Sequence, residues 1–206
     1  MLVFSQENLA FLAVPKTGTT ALELALKPRA DVIFAKQRKH ITAQRFHKQV
    51  APFLDKCLSI RPERLAVMRE PEEQIRSWYR YRRREKLRSE DTAIGLLSFN
   101  DFVRDVIRET PPRHAVIGSQ FRFLTSAEGD LLVHHLFAYE DQPQLLGFLG
   151  GRFGKTIELK RRNVSPKAEA PLDPEVRTEL RRARAEEFAL YDRLMAAGGH
   201  LQTEIH

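Results

Sequence analysis

The chain has 206 residues, with 34 Lys and Arg against 27 Asp and Glu, a formal net charge of +7 and a pI near 9.7. This length suits one sizeable domain spanning residues 1–206, and a composition that is 42% hydrophobic and 9% aromatic excludes a disordered or disulfide-stapled chain. No apolar run approaches the roughly 18 residues of a membrane span, and the positive excess points to anionic partners.

Met1 to Glu7 lacks the charged start and apolar run of a secretory leader. The one cysteine, Cys57, excludes an internal disulfide. Its apolar neighbour Leu58 predicts a buried thiol, and a reducing, cytoplasmic location is expected.

Leu9 to Val14 reads as a buried strand and Thr17 to Leu26 as a helix, joined by Val14-Pro15-Lys16-Thr17-Gly18-Thr19-Thr20-Ala21. The first N–H groups of such a helix have no intrahelical partner, and they point the positive end of the macrodipole at whatever lies above the turn. Gly18 permits close backbone approach, Thr17, Thr19 and Thr20 offer hydroxyls, and Lys16 adds a mobile charge. The result is a phosphate cradle. It departs from G-x-x-x-x-G-K-[ST], because the lysine precedes the glycine and no glycine opens the loop, so a nucleoside triphosphate is not the default ligand. A plain strand-to-helix turn capped by a threonine is the other reading of these residues.

Val32 to Ala35 reads as the next strand, followed by Lys39-His40-Ile41-Thr42 and a helix from Thr42 to Lys56. Leu65 to Met68 is a further buried strand with Arg69 at its C-terminal edge. Glu70-Pro71-Glu72-Glu73 then opens a helix to about Leu87, with Pro at its first position and carboxylates in its first turn. Ser77, Tyr81 and Arg84 share one face of it. The same helix carries the basic run Arg76, Arg80, Arg82, Arg83, Arg84, Lys86 and Arg88, interleaved with Tyr79 and Tyr81. Three readings fit that run: a solvated face that complements the dipole, a surface for an anionic acceptor and, ranked last, a nucleic-acid face.

Helices are expected at Phe99–Arg108, Gln142–Leu149 and Pro174–Ala196, the last ended by Gly198-Gly199, with a strand at Leu132–Tyr139. Arg88 to Leu97 and Arg161 to Leu172 read as irregular. The alternation predicts an α/β domain of three layers, a mainly parallel sheet with helices on both faces and ligands at the C-terminal strand edges. The Lys16 loop and Arg69 both fall on that edge.

Two of these segments resemble the sulfotransferases that use 3′-phosphoadenosine-5′-phosphosulfate. Pro15 to Thr20 is similar to the family's 5′-phosphosulfate loop, P-K-[TS]-[GA]-[TS]-[TS]. Arg69-x-Pro71-x5-Ser77-x-Tyr79 is similar to its R-x-P-x5-S-x-[YW] element, whose arginine and serine bind the 3′-phosphate. Weaker likenesses to the family, the first of them to its carbohydrate enzymes of the heparan 2-O and bacterial type, extend over nearly the whole chain. They are Gly118 to Leu124, Tyr139-Glu140-Asp141, Asn163-x-Ser165 and Leu190-Tyr191-Asp192, the last with Tyr and Asp in altered order.

The resemblance implies a P-loop-NTPase-like fold and a donor bound by Pro15, Lys16, Thr17, Gly18, Thr19, Thr20, Arg69 and Ser77. It also implies sulfuryl transfer to an acceptor hydroxyl, with a saccharide the expected acceptor; basic residues near the cleft could accept an anionic sugar, and lipids and small alcohols stay open. Animal relatives carry a Golgi anchor; here the first catalytic strand starts at Leu9, and a soluble form is expected. Lys16 is the cation placed to neutralise the leaving oxygen. His40 is the candidate base, at a position where relatives carry a histidine facing the acceptor; its other reading is a histidine packing at a helix start. Glu23 reads as a surface carboxylate, and His114, His134 and His135 have no supporting context. Lys160-Arg161-Arg162-Asn163 lies where the family places a loop over the donor, though it departs from the R-K-G form. No metal site is read, since His40 and His47 are off helical ligand spacing. A small-molecule kinase and a noncatalytic polyanion binder are the alternatives. Against the kinase stands Arg69, where a magnesium-binding carboxylate is needed. Oligomeric state has no signal.

Overall fold

The computed structural model describes residues 1–86, 97–159 and 170–205. Its strands are β1 (Leu2–Phe4), β2 (Leu9–Leu12), β3 (Val32–Ile33), β4 (Glu63–Met68), β5 (His135–Ala138) and β6 (His200–Gln202), in the sheet order β3-β1-β2-β4-β5-β6. β2, β4 and β5 are parallel neighbours, with Leu12 opposite Ala66 and Met68 opposite Ala138.

The expectation of a mainly parallel sheet is corrected here, because β1, β3 and β6 all pair antiparallel and the sheet is mixed. The causes are local. Only Ser5 to Asn8 separates β1 from β2, too few residues for a crossover. Asn8, at φ 47° and with its N–H on the Ser5 carbonyl at 3.2 Å, closes a hairpin. Gly198 and Gly199, at φ 72° and 85°, reverse the chain so that β6 returns antiparallel to β5.

Alternation along the strands divides the core. Leu9, Phe11, Leu65, Val67 and Phe137 face α1 (Thr19–Leu26) and α7 (Gln142–Phe153), burying Leu22, Leu26, Leu145, Leu149 and Phe153. The alternate residues Ala10, Leu12, Ala66, Met68, Leu136 and Ala138 face the other way. They meet Phe46, Leu54 of α3 (Ala51–Leu58), Leu124 of α6 (Gln120–Leu124) and Leu194 of α9 (Ala185–Ala196). Helices thus cover both faces. A third cluster joins Ile75 and Tyr79 of α4 (Pro71–Lys86), Phe102 of α5 (Phe99–Val106), Val176 and Leu180 of α8 (Pro174–Ala183) and Phe188 of α9.

Two expected helices are segmented. Thr42 caps α2 (Ala43–Arg45), accepting the Arg45 N–H at 3.2 Å, and a π-helical stretch, Phe46–Val50, then leads into α3. Pro52 has no N–H to continue the α ladder, and wider turns precede it. The expected helix over 174–196 breaks at Arg184, with φ −120° and ψ 30°. The break lets α8 face the helical cluster while α9 turns Leu190 and Leu194 to the sheet. Packing overrides propensity there.

Cys57 is exposed, which corrects the buried thiol: Leu58 beside it is itself 46% exposed. Among the described residues no helix is long and apolar enough to cross a membrane.

Candidate functional site

The C-terminal ends of β2, β4 and β5 lead into Pro15, Arg69 and Tyr139, and all three residues line one cleft of about 1120 Å³. Lys16, Thr17, Gly18, Thr19, Thr20, Ser77 and His40 line it too, so the eight residues expected to hold the donor and the candidate base all open onto the same space, whereas Tyr79 of the second segment packs in the third core cluster.

The loop after β2 is not a threonine-capped turn. Gly18 is the N-cap of α1, at φ 74° and without a side-chain cap. Lys16 also has positive φ, 66°, with Thr17 between them at negative φ. Alternating signs of this kind turn successive N–H groups toward a common side, a nest suited to an anion. A Cβ on Gly18 would lie 2.9 Å from Cε2 of Tyr139, so the glycine is required by close packing as well as by its backbone conformation. The Thr17 hydroxyl is not available as a donor: it is buried and donates to the Val14 carbonyl at 2.9 Å, locking the turn. The Lys16 ammonium lies 3.8 Å from the Tyr81 ring centroid and 5.2 Å from that of Trp78, which hold the cation against the α4 wall of the cleft.

Arg69 follows β4 and is fixed at its backbone. Its N–H donates to Gln120 Oε1 at 2.9 Å, and Gln120 Nε2 donates to the Arg69 carbonyl at 2.8 Å. Gln120 is held by buried Glu187, which also accepts from the Ser119 hydroxyl at 2.8 Å. The Arg69 guanidinium lies 4.7 Å from the Tyr139 ring centroid. Its Nη2 is 3.4 Å from Glu73, and its Nε is buried without a partner. Ser77, one helical face along α4, has no hydrogen-bond partner among the described residues. Buried Gln74 donates to the Pro15 carbonyl at 3.2 Å and so ties α4 to the Lys16 loop.

His40 shares a short hydrogen bond, 2.6 Å, between Nδ1 and the Ala13 carbonyl. A carbonyl only accepts, so Nδ1 carries the proton and Nε2 of the neutral ring holds a lone pair. Its pKa is lowered, chiefly by desolvation, with Lys39 adding to the effect and the Ala13 bond opposing it. Glu23 is not a free surface carboxylate: it pairs with Lys39 Nζ and with the Met1 amino group, each at 3.2 Å, beneath the His40 segment.

Tyr139, Glu140 and Asp141 have three separate tasks. Tyr139 packs on Gly18 and Arg69, Glu140 accepts from the Glu70 N–H at 3.1 Å and the Tyr191 hydroxyl at 3.0 Å, and Asp141 caps α7. Lys160, Arg161, Arg162, Asn163, Ser165 and Arg88 lie outside the described residues.

Sequence reasoning missed Gln74 and Glu187, and named Gln120 only within the Gly118–Leu124 likeness, without its contact to Arg69. One signal was present for Glu187: it stands in register with Leu190 and Leu194 on the apolar stripe of α9, where a carboxylate needs buried donors. Among the described residues no group of three His, Cys, Asp or Glu side chains gathers as a metal site. No protein-family model, no curated protein and no solved structure matches the chain.

Proposed function

We propose that this cleft binds 3′-phosphoadenosine-5′-phosphosulfate and transfers its sulfuryl group to an acceptor hydroxyl, with a saccharide as the expected acceptor. The observation that carries the reading is that two anion seats, the Lys16 loop and the Arg69–Ser77 pair, open into one cleft. Its volume of about 1120 Å³ slightly exceeds the usual range of ligand sites and accommodates a nucleotide.

In the reaction an acceptor oxygen bonds to sulfur while the bond from sulfur to the bridging phosphate oxygen breaks. The hydroxyl proton passes to His40 Nε2, the lone-pair nitrogen left by the Ala13 bond. Negative charge grows on the departing 5′-phosphate, and the N–H groups at the start of α1 and the Lys16 ammonium neutralise it. Arg69 and Ser77 hold the 3′-phosphate, the guanidinium with paired donors and the serine with one neutral bond.

Thermal unfolding with adenosine 3′,5′-bisphosphate and with ATP–Mg²⁺ tests the donor class. Ligand at 100 times its Kd adds about 2.7 kcal/mol of stability. The bisphosphate is expected to raise Tm by several degrees and ATP–Mg²⁺ by little; the reverse order supports a kinase, and no shift with either discards both.

A further inference from the structure

Arg80 is a cleft cation that the two phosphate segments leave without a role. It follows Ser77 by one helical turn on α4, on the same face, and lines the same cleft. Its surroundings differ from those of the other described arginines nearby. Arg76 is buried against Glu72 and Glu73 and over the Phe99 ring. Arg82 lies over Trp78, and Arg83 over Tyr79, whose hydroxyl accepts from it at 3.4 Å. Arg80 has no hydrogen bond, ion pair or ring contact among the described residues, and its Nε is sealed from solvent.

A half-buried guanidinium with no opposing charge among the described residues costs folding free energy. The missing anion is then to be sought in the space the side chain faces. Charge balance points to which anion. A phosphate monoester carries about −1.5 to −2 charges, whereas Arg69 already shares its charge with Glu73 at 3.4 Å and Ser77 is neutral. One more cation on the Ser77 ridge closes that deficit. The 5′ end of the nucleotide has its own donors in the Lys16 loop.

We infer that Arg80 is a third ligand of the donor's 3′-phosphate and sets the preference for 3′-phosphorylated nucleotides, an inference that rests on the donor reading above. Calorimetric titration of wild type, Arg80→Ala and Arg80→Lys with adenosine 3′,5′-bisphosphate and adenosine 5′-monophosphate tests it, alongside Tm of each ligand-free protein. Wild type binds the bisphosphate more tightly. Arg80→Ala loses about 10- to 100-fold for the bisphosphate, the scale of one desolvated charged contact, and under about twofold for the monophosphate. Its ligand-free Tm is unchanged or higher, because an uncompensated charge has been removed, and Arg80→Lys recovers part of the loss. Wild-type affinity of Arg80→Ala for the bisphosphate, equal losses for both nucleotides, or a lowered ligand-free Tm with the preference intact each overturns the assignment. A wild type that does not distinguish the two nucleotides removes the donor reading itself, and the role of Arg80 with it.

Discussion

The two edges of the sheet carry similar residues and treat them differently. At the start of β4 and β5, His135 meets His200 at 3.1 Å and Glu63 at 3.2 Å, and Glu63 also pairs with Arg152. The Arg64 N–H donates to His134 at 2.8 Å, while its guanidinium reaches the Leu132 carbonyl at 3.2 Å and His47 at 3.0 Å. Apart from Arg64 Nε and Thr203 Oγ1, the buried polar side-chain atoms described there have partners within the protein. At the opposite edge Arg69 Nε, Trp78 Nε1 and Arg80 Nε are buried without partners among the described residues, and the Ser77 hydroxyl has no partner among them either. Histidines and arginines alone therefore do not mark a site. What separates the edges is unspent hydrogen-bonding capacity around a cavity, since buried donors are normally satisfied.

That contrast is sharpened first by the substitutions with the largest expected effects. His40→Ala is expected to lower turnover by about 10²–10⁴, the range for a lost general base, in a transfer assay with a saccharide acceptor. Because the His40 pKa is lowered, the wild-type rate should hold down to about pH 6.5 and fall only below it; near-normal turnover of His40→Ala at every pH removes the base assignment. Lys16→Ala comes next, with turnover lowered by about 10²–10³ and binding of adenosine 3′,5′-bisphosphate weakened less. Equal losses show a lysine that only anchors the ligand.

The opposite edge answers to pH through stability. Burial lowers the pKa of His47, His134, His135 and His200. Their unfolded pKa is near 6.5, so below that value the unfolded chain takes up protons that the folded chain does not, and stability falls with pH. Tm should drop steadily from pH 7 to pH 5, by the smallest effect of the three. His200→Gln should flatten the slope, and an unchanged slope contradicts the burial argument.

The legible part of this molecule was the part with local causes. Strand, turn and helix at Leu9 to Leu26 and at Leu65 to Lys86 follow from apolar runs, Gly18 and Pro71, and the parallel trio β2, β4 and β5 follows from their spacing. β1 and β6 were not read, because a short strand at a chain end has no periodicity to measure, and their antiparallel pairing made the sheet mixed. The break at Arg184 carries no Pro or Gly; it arises from two packing partners for one apolar stretch. Within the cleft, residue types and their edge were legible from the Pro15–Thr20 and Arg69–Ser77 segments. The clamp of Gln120 and Glu187 on Arg69 joins residues far apart in sequence, and neither spacing nor composition encodes such a contact.

The central claim is that one nucleotide spans the Lys16 loop and the Arg69–Ser77 pair. A crystal structure with adenosine 3′,5′-bisphosphate tests it most directly. The account predicts the 5′-phosphate on the backbone N–H groups at the start of α1 and the 3′-phosphate within hydrogen-bond reach of Arg69 and Ser77. A nucleotide seated elsewhere, or one that touches a single seat with its other phosphate in solvent, would contradict it.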